Sequence, residues 1–457
     1  MSSLFDSLRY ASRSLDAHRL GIDVAGQNIA NVNTAGYTRR MLLLGEVPAT
    51  DFYNAGRGVE AVGIIAHRDP FIEARIRREQ SGASFDQAIV GSLSALEANV
   101  AAPGQGIDQR LTALFDAFNT FADDVRSVAA REGVVQQGQA LAQSFRSMAS
   151  ALQTSQRDAD LAIRSQVNDI NALATEIAAL NVRIGDAAGD VQAMIDQRNV
   201  ALTELAKLAN VSVVEHTNGT ADVSIGSGRP LVMGRTAYQV EAADGPAPLG
   251  LAVLTLGDYD LSGEITSGSL GGLMHVRDVA LPAHAARLDQ LAWDVATAIN
   301  GVHGTGYDAN GNPAGMFFVP PAGVAGAAAA MAVDPALDGD SALLAGSATG
   351  AVGDNGIARA LAALRDQPVV NGGSATPAQG WGMFVYHIGA DVNGALDSVE
   401  GRDEIVRQLQ RLRDEASGVS LDEEAANLMK FQRAYEANAR FFTTIVETID
   451  TLMEMVG

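Results

Sequence analysis

Seven histidines (18, 67, 216, 275, 284, 303 and 387) and 54 acidic residues are the raw material for proton transfer or metal binding in this 457-residue chain. No two histidines have the helical spacing of a metal pair such as H-E-x-x-H. His67-Arg68-Asp69 has the letters of a kinase catalytic loop. The metal-binding Asn that should follow falls at Ala74, and no glycine-rich nucleotide loop precedes it. Asp308, Asn310 and Asn312 begin like a calcium loop, but Pro313 stands where the tight turn needs Gly and Val319 where the bidentate Glu belongs. Ile225-Gly226-Ser227-Gly228 is a glycine-rich turn in a strand-like region, without the strand–glycine–helix order that cradles phosphate. Cysteine is absent, which removes thiol nucleophiles, disulfides, iron–sulfur clusters and cysteine zinc sites. The expectation is a protein without catalytic site, metal or cofactor.

Composition narrows the class. The net charge of −22 repels phosphate backbones and anionic lipid heads, so nucleic-acid binding is not expected. The start, MSSLFDSLRYASRSLDAHRL, is charged throughout and lacks the apolar run of a signal peptide. The most apolar stretch, residues 322–333, is too short and too rich in small side chains to span a bilayer, so no membrane insertion is expected. Length alone suggests about three domains.

The elements that would position functional residues are mostly helical. Leu8, Leu15, Ile22 and Ile29 repeat every seven residues, with Leu4, Ala11, His18 and Ala25 as a second seam. Leu421, Leu428, Tyr435, Phe442, Ile449 and Val456 do the same at the other end, widened by Phe431, Ile445 and Leu452. Residues 1–40 hold five Arg against three Asp, net +2; residues 421–457 hold three basic against seven acidic groups, net −4. The ends are therefore expected to pair.

Between them, Leu111, Leu114, Phe115 and Phe118 share a helical face, as do Leu141, Phe145, Met148 and Leu152. Ile163, Ile170, Ile177 and Ile184 form a strict heptad, and helical faces recur at Leu288, Leu291, Val295 and Ile299 and at Ile405, Leu409 and Leu412. Pro103-Gly104 marks a break between helices. From Val211 the period changes to two, with a tight hairpin expected at Asn218-Gly219, both at positive φ. Strands are expected to lie between about 210 and 360. Helices on both sides of this insertion should share one bundle, bringing 160–184 beside 288–302.

The first helix runs into Asn28-Ile29-Ala30-Asn31-Val32-Asn33-Thr34-Ala35-Gly36-Tyr37-Thr38-Arg39, where Asn and Thr compete for backbone hydrogen bonds and Gly36 permits positive φ. A structured turn should end the helix there, with Tyr37 offering an apolar body and polar tip for a subunit contact. The string resembles the N-terminal motif of the bacterial flagellar rod, hook and hook-associated proteins. The closing stretch, Ser417–Leu428 and Lys430–Ala439, looks like the last helix of the hook-associated protein 1 branch. Met194–Asn199, Leu205–Val214, Gly228–Val232, Ser269–Leu273 with Arg277-Asp278, and Asn300–His303 leading to Phe317-Phe318 are similar to that branch and not to rod or hook subunits.

This resemblance implies a non-enzymatic structural protein outside the cell, in the flagellum at the junction of hook and filament. It implies export through the flagellar type III route without a cleaved leader, and assembly as a short ring. The implied partners are other copies of the chain, the hook protein, a second hook–filament junction protein, and a cytoplasmic export chaperone at the C-terminal helix. A rod or hook subunit is the alternative within the same assembly. The expected fold is mainly α with an inserted β domain, an α+β, multi-domain chain. Residues 1–60 plus 415–457 would form a terminal-helix assembly domain paired like a coiled coil. Residues 61–209 plus 265–305 plus 356–414 would form a helical rod domain, and 210–264 plus 306–355 a β-rich domain. The expected assembly surface comprises Leu8, Leu15, Ile22, Ile29, Asn28, Asn31, Asn33, Gly36, Tyr37, Leu421, Leu428, Phe431, Tyr435, Phe442 and Ile449.

Overall fold

A computed structural model describes residues 2–34, 36–47, 58–100, 106–187 and 189–456. Pro103-Gly104, Ala35 and the Val456 side chain, all singled out above, lie outside what it describes. Helix α1 (Ser2–Ala30) leads to the antiparallel hairpin β1 (Arg40–Glu46) and β2 (Val59–Ala66). Helices α2 (Pro70–Val100), α3 (Ile107–Asp123), α4 (Val128–Asp186) and α5 (Gln192–Leu208) follow. Two antiparallel meanders come next. One contains β3 (Val211–Glu215), β4 (Ala221–Ile225), β5 (Arg229–Met233) and β6 (Thr236–Ala237). The other contains β7 (Val240–Asp244), β8 (Ala252–Leu256) and β9 (Tyr259–Asp260).

The chain returns to helix through α6 (Gly268–His275), a π turn (Val276–Ala280) and α7 (Leu281–His303). Short α8 (Ala327–Ala330), α9 (Pro335–Gly339) and α10 (Gly356–Ala363) precede the long α11 (Pro377–Ser417) and α12 (Leu421–Val456). Helix α11 starts on a reciprocal cap in which Thr376 and Gln379 satisfy each other's backbone N–H groups.

As expected, α1 packs along α12; with the β1–β2 hairpin they form an arm. Everything from α2 to α11 forms the body, which has two cores. One gathers α3, the first part of α4, α7, α10 and the first part of α11 around Phe118, Phe121, Phe145, Phe317 and Phe318, all fully buried. The other packs Ile163, Ile170 and Ile177 of α4 against α5 and the inward faces of both meanders, including Val223, Ile225 and Leu254.

Four expectations need correction. Residues 160–184 and 288–302 lie in different cores, because α4, 59 residues long, extends about 90 Å at 1.5 Å per residue and its ends meet different neighbours. Residues 306–355 hold isolated bridges and short helices in place of strands. Their Phe317, Phe318, Ala328 and Leu344 fill the helical core, so this second segment of the expected β-rich unit belongs elsewhere. A hairpin absent from the expectation appears at 40–66. Finally, only Gly219 of the Asn218-Gly219 pair has positive φ (+83°). His216 N donates to Thr220 O (2.8 Å), making a three-residue loop with Gly at its left-handed position.

The α11 stripe is also displaced. Val406 and Leu409 are buried, whereas Ile405 and Leu412 face outward.

Candidate functional site

The turn after α1 is a buried polar knot. Asn28 is fully covered, and all four hydrogen-bonding positions of its carboxamide are used. Nδ2 donates to Arg40 O (2.8 Å) and to Glu424 Oε2 (3.0 Å). Oδ1 accepts from the Tyr37 hydroxyl (2.8 Å) and from Arg40 N (3.0 Å). Glu424, 2% exposed, receives Arg39 through Nε and Nη2, each at 2.8 Å, while Arg39 Nη1 meets Glu423 at 2.8 Å. One buried carboxylate of α12 is thus held by both ends of the turn that closes α1. Burial pushes the Tyr37 phenol up, against the opposing pull of the Arg40 guanidinium stacked 5.1 Å from its ring.

This geometry relocates several expected contact residues. The Tyr37 hydroxyl is committed inside the chain. Asn31 returns its Nδ2 to Gln27 O (2.9 Å) and accepts from Thr34 Oγ1 (3.2 Å), as a helix-ending turn requires. Gly36 adopts φ +79°, and Asn33 is exposed at the rim of a neighbouring cleft.

The α1 surface against α12 is not the leucine–isoleucine stripe. Ala11, Ser14, Ala17, Gly21, Val24, Ala25 and Asn28 are buried, while Leu8, Leu15, Ile22 and Ile29 are half-buried along one flank. Gly21 explains the choice: a β-carbon there would lie 2.6 Å from the Phe431 ring, so only glycine lets that ring seat. On α12, Ile445 and Glu424 are buried, and Leu428, Phe431, Phe442 and Ile449 are half-buried. Leu421, Tyr435 and Met453 are 52%, 37% and 67% exposed and project along one side of the seam. Phe441 (53%) and Leu452 (39%) project along the other. The apolar stripe of α12 is therefore wider than α1 covers.

No catalytic constellation emerges among the described residues, where no three His, Cys, Asp or Glu side chains gather as a metal cage. Asp69 caps α2 by accepting from Phe71 N (2.8 Å). Asp308 Oδ1 accepts from Asn310 N and Asn312 N (each 2.8 Å), closing a turn. The central strings that carried the resemblance are locks between elements. Arg277, 4% exposed, donates to Asp160 Oδ1 (2.6 Å) and Ala252 O (2.9 Å), tying the π turn to α4 and β8. Asn300 Oδ1 accepts from Phe317 N (2.9 Å) and Phe318 N (2.8 Å). His303 donates from Nδ1 to Gly315 O (2.9 Å) and accepts Ala345 N at Nε2 (3.0 Å), which fixes it as neutral. Burial holds its pKa below the ordinary histidine value.

Arg40, Arg68 and Asp196 were not anticipated as site residues. Arg68 Nη2 donates to Asp196 Oδ1 (2.8 Å) and to Thr38 Oγ1 (2.7 Å), and Arg40 Nη2 lies 3.7 Å from Asp196. Burial pushes the Asp196 carboxyl up, with Arg68 and Arg40 opposing.

A discontinuous arm of paired terminal helices on an elongated helical body, tied together by polar locks, is the build of an architectural protein. Comparisons with known proteins specify which. Residues 93–318 match the family model of the flagellar hook-associated protein FlgK helical domain, and 411–455 that of the flagellar basal body rod FlgEFG protein C-terminal region. Flagellar hook-associated protein 1 of Bacillus subtilis is 26% identical over 100% of this chain and 99% of its own. That of Escherichia coli is 25% identical over all of both chains, and that of Salmonella typhimurium 30% over 70% of this chain and 59% of its own. The solved flagellar hook junction protein FlgK from Burkholderia pseudomallei shares the fold, with TM-score 0.66 and 16% identity over 74% of this chain and 99% of that one. The chain belongs to the flagellar hook-associated protein 1 family. It is a structural component of the bacterial flagellum, an external appendage, and not an enzyme.

Proposed function

We propose that the chain assembles as a short ring at the junction of hook and filament, after export through the flagellar type III route. In this reading residues 1–60 with 415–457 form the assembly unit. Copies of the chain, the hook protein and a second junction protein are its neighbours, and a cytoplasmic chaperone holds the C-terminal helix before export. The observation that carries it is the α12 stripe, which α1 covers only along its centre. The exposed flanks, Leu421–Tyr435–Met453 and Phe441–Leu452, are apolar rows suited to neighbouring helices on either side. Two different flanks are also what a head-to-tail ring contact needs. The family names of the relatives and the specific match over residues 93–318 support a hook-associated role over a rod or hook subunit.

The test is the variant Tyr435→Ser, Phe441→Ser, Met453→Ser, which spares the α1–α12 seam. The purified variant should keep the wild-type circular dichroism and melting profile. Cells carrying it in place of the native copy should not swim. Normal swimming, with the variant present in isolated flagella, would overturn the assignment of this surface.

A further inference from the structure

The arm and the body are joined by two chain passages, residues 67–69 and 418–420, and both are gripped by one residue. Arg39 N donates to Ser417 O (3.4 Å), and Arg39 O accepts from His67 N (3.0 Å). The backbone of Arg39 therefore lies where a rotation axis between arm and body would run. What limits rotation about it is charge more than packing. The hairpin rests on α5 through β2, and there the body presents a single buried carboxylate, Asp196, to Arg68 of one passage and Arg40 of β1. Arg40 is also 3.5 Å from Asp190. Beside these pairs opens a cleft of about 830 Å³, walled by the turn after α1, by α5 and by the α11–α12 corner. The arm has room to swing.

We propose that the arm is a lever hinged at Arg39 and latched by Asp196, so that the Asp196–Arg68–Arg40 cluster sets the angle between arm and body. The latch is separate from the Asn28–Glu424 knot, which holds the arm together internally. Releasing Asp196 changes orientation and leaves both units folded.

Because the chain has no cysteine, Ser12→Cys on α1 and Ala172→Cys on α4 place two spin labels uniquely on lever and body. Pulsed electron–electron resonance should give a narrow distance distribution. Asp196→Asn should broaden it at least twofold with unchanged circular dichroism, and Asp196→Glu should restore most of the narrowing. Arg68→Gln should broaden it equally, and the double variant should go no further than either single one. If Asp196→Asn disturbs the folding of α5, Arg68→Gln carries the test alone. A distribution already broad in the parent, or one unchanged by Arg68→Gln, would overturn the latch. Neither result depends on ring assembly, so failure here is distinguishable from failure of the assembly reading.

Discussion

The arm and the body are both helical, yet they are stabilised differently. The body seals the phenylalanines of its helical core completely: Phe118, Phe121 and Phe145 have no exposed surface. The arm's α12 spans 36 residues and buries only Ile445 and Glu424 among its described side chains. Its best-satisfied interaction is polar, the Asn28–Tyr37–Glu424–Arg39 knot, and the Phe431 ring seats on α1 only because residue 21 is a glycine. The arm fixes its direction and register with hydrogen bonds and leaves much of its apolar surface exposed.

The sharpest way to break this contrast is to truncate one phenylalanine in each region. Phe118→Ala should cost about 3–5 kcal/mol in urea unfolding of the body, because both transfer energy and a cavity are involved. Phe441→Ala, half exposed on the arm, should stay within about 0.5 kcal/mol. Equal losses would mean that the arm is as self-sufficient as the body.

Next in size is Glu424→Ala. It leaves Arg39 and the sealed Asn28 amide short of a charged acceptor, a loss of about 2–3 kcal/mol. The loss should be confined to the arm: protease should cut α12 faster while the body's melting transition holds. Simultaneous loss of both would merge the two regions into one cooperative unit.

The smallest expected effect is a pH dependence of the body. The folded chain keeps His303 neutral below its ordinary pKa of 6.5, whereas the unfolded chain protonates there. Stability from this residue is therefore full above 6.5 and falls with pH below it, by about 1.4 kcal/mol per unit until the folded value is reached. Urea midpoints from pH 7.5 to 5.5 should slope less in His303→Gln. An identical slope would place the acid sensitivity elsewhere.

Much of this was legible in the residues. Ile163, Ile170, Ile177 and Ile184 announce a buried helical face by spacing, and all four are buried. The turn ending α1 was visible in its Asn, Thr and Gly residues. The face that α1 gives to α12 was legible only at Ala11 and Ala25 of the second seam, because Ser14, Gly21 and Asn28 carry no hydrophobic pattern; they are chosen for closeness and hydrogen bonding. The β1–β2 hairpin escaped because its apolar runs do not alternate cleanly and a register shift falls between Leu43 and Leu44. Arg40, Arg68 and Asp196 are single charges far apart in the chain, and only the fold makes them neighbours.

The knot has a consequence for the timing of synthesis. Asn28 and Glu424 are separated by 396 residues, so closing their contact requires everything between them to be in place. Such a long loop is late and slow to close. A ribosome releases α1 and the β1–β2 hairpin long before α12, and for that interval α1 has the hairpin beside it but not its helical mate. The residues around Asn28 form a half-joint that stays open until those around Glu424 have been made.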